Sequence, residues 1–177
     1  DKCLGRQILI LAPGISILEQ ECTIKRYIEN SEPIIIAANF IPNNIDVDYV
    51  FCCNAKRLEI IQEKYKKERI IVTSNLFEMC VGKENIVNYS DLSIDEGENF
   101  DNSVIMLLKL FQNMDMKSVN IAGFDGYRLG EENYAASYMI NKYVKGENEN
   151  ARIKKYLKRF NQELQINFLT KTLYRDE

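Results

Sequence analysis

Apolar runs and helical patterns alternate along the chain. "QILILA", ended by Pro13-Gly14, is rich in Ile and Leu and predicts a buried strand. In "SILEQECTIKRYIEN", Leu18, Cys22, Tyr27 and Ile28 fall near one helical face, with charges opposite. Ser16 fits the N-cap of that helix, and Glu19 would complete a capping box. "PIIIAANF" from Pro33 and "DYVFCC" from Asp48 predict two more strands. "AKRLEIIQEKYKKE" predicts a helix with Leu58, Ile61 and Tyr65 on its buried stripe, and "RIIVTS" another strand. The following segment is less regular, with a short strand candidate, "NIVNYS", and a loop rich in acids. Asn102 is placed to cap the strongly apolar helix "SVIMLLKLFQNM". "KSVNIAGFDGY" is a strand entering a glycine-flanked turn. Helical patterns then cover about Glu131 to Tyr143 and Asn150 to Leu164, before a last strand, "QINFLT". Strands separated by single helices imply right-handed βαβ crossovers. The expected fold is α/β: a single Rossmann-like three-layer domain over 1–177 with a mostly parallel sheet.

The length of 177 residues fits one domain. A net charge of −3 argues against a nucleic-acid partner, which needs a basic footprint. The basic residues of "EKYKKER" and "RIKKYLKR" are interleaved with acidic or apolar ones and read as solvated helix faces. No apolar stretch approaches the ~20 residues needed to cross a bilayer, so no membrane is expected. Cys3, Cys22, Cys52, Cys53 and Cys80 lack CxxC spacing, which points to reduced thiols and a cytoplasmic compartment. Cys52 and Cys53 are adjacent in a strand and read as packing on its two faces. The chain has no His, hence neither the commonest general base nor the commonest metal ligand, and no metal site is expected. Asp46-Val47-Asp48 precedes its strand and reads as a polar lead-in rather than a metal-holding Asp-x-Asp. Beginning at Asp1, the chain reads as processed or as cut from a longer protein.

In such sheets ligands bind beyond the carboxyl ends of the strands. The candidate loops are therefore Pro13 to Ser16, Asn39 to Asn44, Asn54 to Arg57, Thr73 to Asn75 and Gly123 to Tyr127. Gly14 permits a tight turn or the close approach of a ligand, and the helix start offers N–H groups to an anion. Ser16 caps the helix, binds phosphate, or does both; the alternative is a plain strand-to-helix turn. Asn39 and Asn54 serve either as turn residues or as partners for a base, ribose or sugar. Lys56 and Arg57 oppose the dipole of the helix they open and call for an anion, from the protein or from a ligand phosphate. Asp125 takes a ligand hydroxyl, acts as a base, or closes an Asx turn on its own backbone. Tyr127 and Tyr134 are near enough in sequence to line the same cleft. Any catalysis would rest on Asp125 or Tyr127.

The segments "ILILAPGISI", "PIIIAANFIP", "DYVFCCNAKR", "IIVTSNL", "DNSVIMLLKLF", "VNIAGFDGY", "ENY" and "INFLTKTLY" occur in an order that resembles one domain type. It is the carboxyl-terminal domain of bacterial proteins whose amino-terminal part is an aldolase-like TIM barrel. Those barrels belong to the hydroxymethylglutaryl-CoA lyase and 4-hydroxy-2-oxovalerate aldolase superfamily. The resemblance covers nearly the whole chain and implies a fragment whose partner is that barrel. Aldolase residues do not map onto it. More distantly, the chain is similar to Rossmann-like bacterial sialyltransferases. Gly14 and Ser16 match their first loop, Asn39 and Asn54 the next two positions, Asn102-Ser103 a small-residue pair, and Asp125 and Tyr127 the last turn. In that family these positions surround a cytidine nucleotide-sugar. The family's catalytic base is a His, which this chain lacks. The resemblance thus implies a domain that binds a nucleotide or nucleotide-sugar, with transfer in the family's form put in doubt by the missing His, or a non-catalytic accessory or oligomerisation domain that docks on or regulates the barrel.

Overall fold

The computed structural model describes residues 6–82, 84–95, 99–139 and 146–175, so Asp1 and Cys3 lie outside the described residues. The first half runs β1 (Ile8–Leu11), α1 (Ser16–Glu19), α2 (Glu21–Ser31), β2 (Ile34–Ala38), β3 (Tyr49–Cys52), α3 (Ala55–Lys64), β4 (Ile70–Thr73) and β5 (Asn85–Val87). The second half runs α4 (Tyr89–Leu92), β6 (Ile94–Asp95), β7 (Asn99–Phe100), α5 (Ser103–Asn113), β8 (Ser118–Ala122), α6 (Gly146–Phe160) and β9 (Gln165–Phe168). Seven strands form one sheet, β5-β4-β3-β2-β1-β8-β9, with every pairing parallel. Among the described strands, β6 and β7 pair antiparallel and stand apart from the sheet. The fold is the expected three-layer, Rossmann-like α/β arrangement.

Burial on both faces explains why the strands read as unbroken apolar runs. Alternate residues enter opposite cores. Ile8, Ile10 and Ala12 pack with Ile105, Leu108, Ile153 and Tyr156 of α5 and α6. Leu9 and Leu11 pack with Ile24, Leu58 and Ile61 of α2 and α3. The adjacent thiols obey the same alternation, Cys53 in the first core and Cys52 in the second. Burial pushes Cys52 up to about 12 and Cys53 up to about 11, so both stay protonated near neutral pH. Asp48 is spent on sheet pairing: its Oδ2 accepts the Ile35 N–H at 2.9 Å. No helix among the described residues is long and apolar enough to cross a membrane.

Two helical expectations need correction. The segment after Pro13-Gly14 is not one helix: it breaks at Gln20 (φ −119°, ψ 25°), whose side-chain oxygen accepts the Lys171 N–H at 2.6 Å. The break rotates the buried stripe, so Ile17 and Ile24 are buried while Leu18 and Cys22 are exposed. The pattern from Glu131 is not an α-helix over 131–139, and 140–143 lie outside the described residues. Tyr134 bridges to Gly14, and the Ala135 N–H donates to Pro13 O at 2.8 Å. Those backbone groups are therefore captured by the first loop instead of closing a helical turn.

The strand order reverses between β1 and β8. Beyond their carboxyl ends the two following loops touch backbone to backbone, the Gly14 N–H donating to Gly123 O at 2.8 Å. A Cβ on Gly14 would sit 2.3 Å from Gly123 O, and one on Gly123 (φ +75°) would sit 2.1 Å from Ala12 O. Gly123→Ala is therefore expected to cost roughly 3 kcal/mol in urea denaturation, from strain and overlap together. Gly130→Ala, with equally positive φ but nothing within 4 Å, is expected to cost only about 1 kcal/mol. Equal losses would show that the loop contact is not tight.

Candidate functional site

A cleft of about 190 Å³ opens over the carboxyl ends of β1, β2, β3 and β8. Its floor is Gly14, Gly123 and Asp125; Asn54 and Arg57 form one lip. Asp101, Asn102 and Ser103 form the other lip, and Asn39 stands between the two at the end of β2. Tyr127, Tyr134 and Tyr174 close the remaining side. The cleft thus gathers most residues singled out in the sequence. Lys56 is exposed and does not line it; Thr73 to Asn75 do not either, because β4 is three strands away from β1.

The three asparagines are built alike. Asn39 takes a left-handed conformation (φ 62°), and its Oδ1 accepts the Cys53 N–H at 3.0 Å, tying the ends of β2 and β3. Asn54 caps α3, its Oδ1 accepting the Arg57 N–H at 3.3 Å. Asn102 caps α5 as expected, accepting from Val104 at 3.1 Å and Ile105 at 3.2 Å. In each case the oxygen end is spent on backbone donors. What Asn54 and Asn102 have to offer a ligand is their NH₂ end, a donor. Arg57 also presents donors. One of its N–H groups donates to the Tyr138 carbonyl, and its guanidinium carbon lies 5.7 Å from the Tyr138 ring centroid. The anion the sequence called for near Arg57 is thus, within the described residues, a carbonyl and a π face.

Asp125 holds the floor together. Its Oδ2 accepts the Ser16 N–H at 2.8 Å, and its Oδ1 accepts the Ser16 hydroxyl. Ser16 Oγ also lies 2.9 Å from Thr170 Oγ1, which accepts the Gly123 N–H at 2.9 Å. A hydroxyl has one proton to give. Ser16 gives its proton to the carboxylate, so Thr170 donates to Ser16. This arrangement corrects the reading of Ser16 as N-cap of its own helix. The cap position is Ile15, with no side-chain bond, because the Ser16 side chain is turned inward and fully buried. It also replaces the local Asx turn: Asp125 reaches across the sheet rather than to its own backbone. The carboxylate stands where the sequence suggested a ligand phosphate.

The pKa directions bear on chemistry. Burial raises Asp125; its bonds to Ser16 and the charge of Lys171, itself paired with Glu19, pull it back down. Burial also raises Tyr127 and Tyr134, whose rings meet edge-on at 6.3 Å. Phenols shifted upward remain protonated at neutral pH, so Tyr127 is a donor there and not a base.

Four contributors escaped the sequence reading. Asp101 lines one lip, with Oδ1 accepting the Tyr89 hydroxyl at 2.5 Å. Thr170 joins the floor, and Tyr174 packs on Phe124 with centroids 4.9 Å apart. Asn150 pins Tyr127, accepting its N–H at 2.9 Å and donating to its carbonyl at 2.7 Å. Of these, only Asp101 carried a signal, its adjacency to the cap residue Asn102. No family model matches the chain, and no curated protein matches it significantly.

The Asp125 clamp predicts a pH dependence. Its folded pKa lies above the ordinary 3.8, chiefly through burial. Protonation therefore favours the folded state. That contribution is full below the unfolded value and is lost as pH rises through the folded pKa. The stability of wild type minus that of Asp125→Asn is expected to fall across this window and then level off. Urea denaturation of both proteins from about pH 3 to 8 checks it, and a difference that grows with pH would contradict it. Ser16→Ala removes both hydroxyl contacts from a buried site and is expected to cost about 2 kcal/mol above the folded pKa of Asp125 and less below it, because the Ser16 hydroxyl favours the ionised carboxylate.

Proposed function

We propose that this domain binds a nucleotide or nucleotide-sugar in the cleft between β1 and β8 and does not transfer the sugar. The observation that carries the reading is the convergence of donors. The NH₂ ends of Asn54 and Asn102 and the guanidinium of Arg57 come from two lips onto one cavity at the point where the strand order reverses. A ligand that answers them must be rich in acceptors, as phosphates, sugars and base carbonyls are. Against transfer stand the residues in which the sequence looked for a base. The chain has no His, Tyr127 stays protonated, and both oxygens of Asp125 accept from Ser16.

The test uses cytidine, uridine and guanosine nucleotides in thermal-shift titrations. A ligand at a hundred times its Kd stabilises by about 2.7 kcal/mol. Asn54→Asp and Asn102→Asp keep an oxygen for the helix cap but turn a donor into an acceptor. Each is expected to weaken binding about tenfold or more, with the unliganded melting temperature nearly unchanged. No shift with any nucleotide would overturn the reading.

A second reading is favoured by the opposite edge of the sheet. At β5, the edge strand of the described sheet, Ile86 is 45% exposed, and Phe77 and Val81 just before the strand are 63% and 55% exposed. Apolar side chains along an unpaired edge suit a docking face. By the resemblance above, the partner would be an aldolase-like barrel, which the domain would regulate. Under this reading Phe77→Ser and Ile86→Lys alter barrel activity in the parent protein without affecting any nucleotide shift.

A further inference from the structure

Charge divides the cleft unevenly. Among the described residues that line it, Arg57 is the one cation, whereas Asp101 and Asp125 are carboxylates. Arg57 and Asp101 stand on opposite lips, since α3 and α5, which they adjoin, pack on opposite faces of the sheet. One N–H of Arg57 is committed to Tyr138, and the other donors of its guanidinium fork remain to grip an anion. Asp101 keeps one oxygen beyond the one that accepts from Tyr89. Asp125 occupies the helix start at which a second anionic group would otherwise be held. Lys171 acts on Asp125 but is paired with Glu19 and does not line the cleft. Glu149 adds negative potential behind Tyr127, Tyr134 and Tyr174. A first negative charge on a ligand is therefore attracted to Arg57. A second or third charge, placed farther along the cleft, meets Asp101 or Asp125 with no described cation to offset it.

We propose that Arg57 and Asp101 are the specificity-determining residues of the cleft: Arg57 holds a single anionic group of the ligand, and Asp101 turns away ligands that carry more. The inference rests on the nucleotide reading above and adds a rule about charge. It also sets a direction: the ligand's anion lies toward α3, away from the Gly14 loop, and its neutral part lies across Asn39 toward Asp101, which can accept from a hydroxyl or an amino group.

The test takes one nucleoside in a charge series, in EDTA at about pH 8, where a phosphate monoester is doubly charged. The probes are the nucleoside, its 5′-phosphate methyl ester, its monophosphate and its diphosphate. The methyl ester, with one charge, is expected to bind most tightly, and each further charge to weaken binding about threefold or more. Arg57→Gln is expected to lower the methyl ester to the level of the bare nucleoside, and Arg57→Lys to restore part of the difference. Asp101→Asn, which keeps an acceptor for Tyr89, is expected to raise diphosphate affinity about fivefold and flatten the series. Binding that strengthens with each charge overturns the charge rule and leaves the nucleotide reading standing. A series unchanged by Asp101→Asn overturns the role of Asp101. If no probe binds, for any of the three nucleosides, the nucleotide reading falls and this inference falls with it.

Discussion

The carboxylate of Asp125 on Ser16 fixes how the two halves of the sheet meet. The residues it joins are 109 positions apart, one after β1 and one after β8. No short connection links those strands, so their loops must be held by side chains and by backbone contact. Asp125 does this with a two-point grip on the N–H and the hydroxyl of one residue. Thr170, just past β9, extends the grip to the next strand over. Desolvating a carboxylate is costly, and charge-assisted hydrogen bonds offset that cost. The glycines follow from the same constraint. Gly14 and Gly123 approach so closely that either Cβ would strike a carbonyl oxygen.

That constraint shapes the cleft above it. The first loop has given its free N–H and its hydroxyl to a carboxylate of the same chain. The rim is then made from residues that already have structural duties. Asn54 and Asn102 cap helices with the oxygen end of the amide and also line the cavity. A cap residue is held by the helix it starts, so the donor it presents is positioned before any ligand arrives. The segment over 131–139 is held by the same loop, through Gly14 and Pro13, and by Arg57 of α3 through Tyr138.

Whatever depends on a local period was legible in the sequence, and whatever depends on a distant partner was not. The strands announced themselves because a parallel sheet buries both faces. The split of Cys52 and Cys53 between the two cores follows from strand alternation alone. Asn102 was readable as a cap because its partners are two and three residues away. Ser16 followed by Glu19 has the same local form, yet its partners lie at Asp125 and Thr170. The helical period from Glu131 gave way because Gly14 and Pro13 captured that backbone. Thr73 to Asn75 were at a strand end, but being near the cleft depends on strand order, which no local pattern carries. Thr170 and Tyr174 were hidden for a similar reason, since no local pattern shows that the chain past β9 returns to the floor and side of the cleft, whereas Asp101 had Asn102 beside it as a pointer.

The two residues on which catalysis was expected to rest, Asp125 and Tyr127, are held for other work. Donors for an acceptor-rich molecule need only reach the cavity, and the ends of α3 and α5 supply them. A base needs a free lone pair and a pKa near the working pH. Each oxygen of Asp125 already accepts from Ser16, and its removal from Ser16 would loosen the contact on which the floor depends. Tyr127 has a hydroxyl, but burial keeps its proton in place. Making Asp125 a base would therefore take more than exposing it. It would require another group to assume the clamp on Ser16, so that a carboxylate at the carboxyl edge of β8 could turn from structure to chemistry.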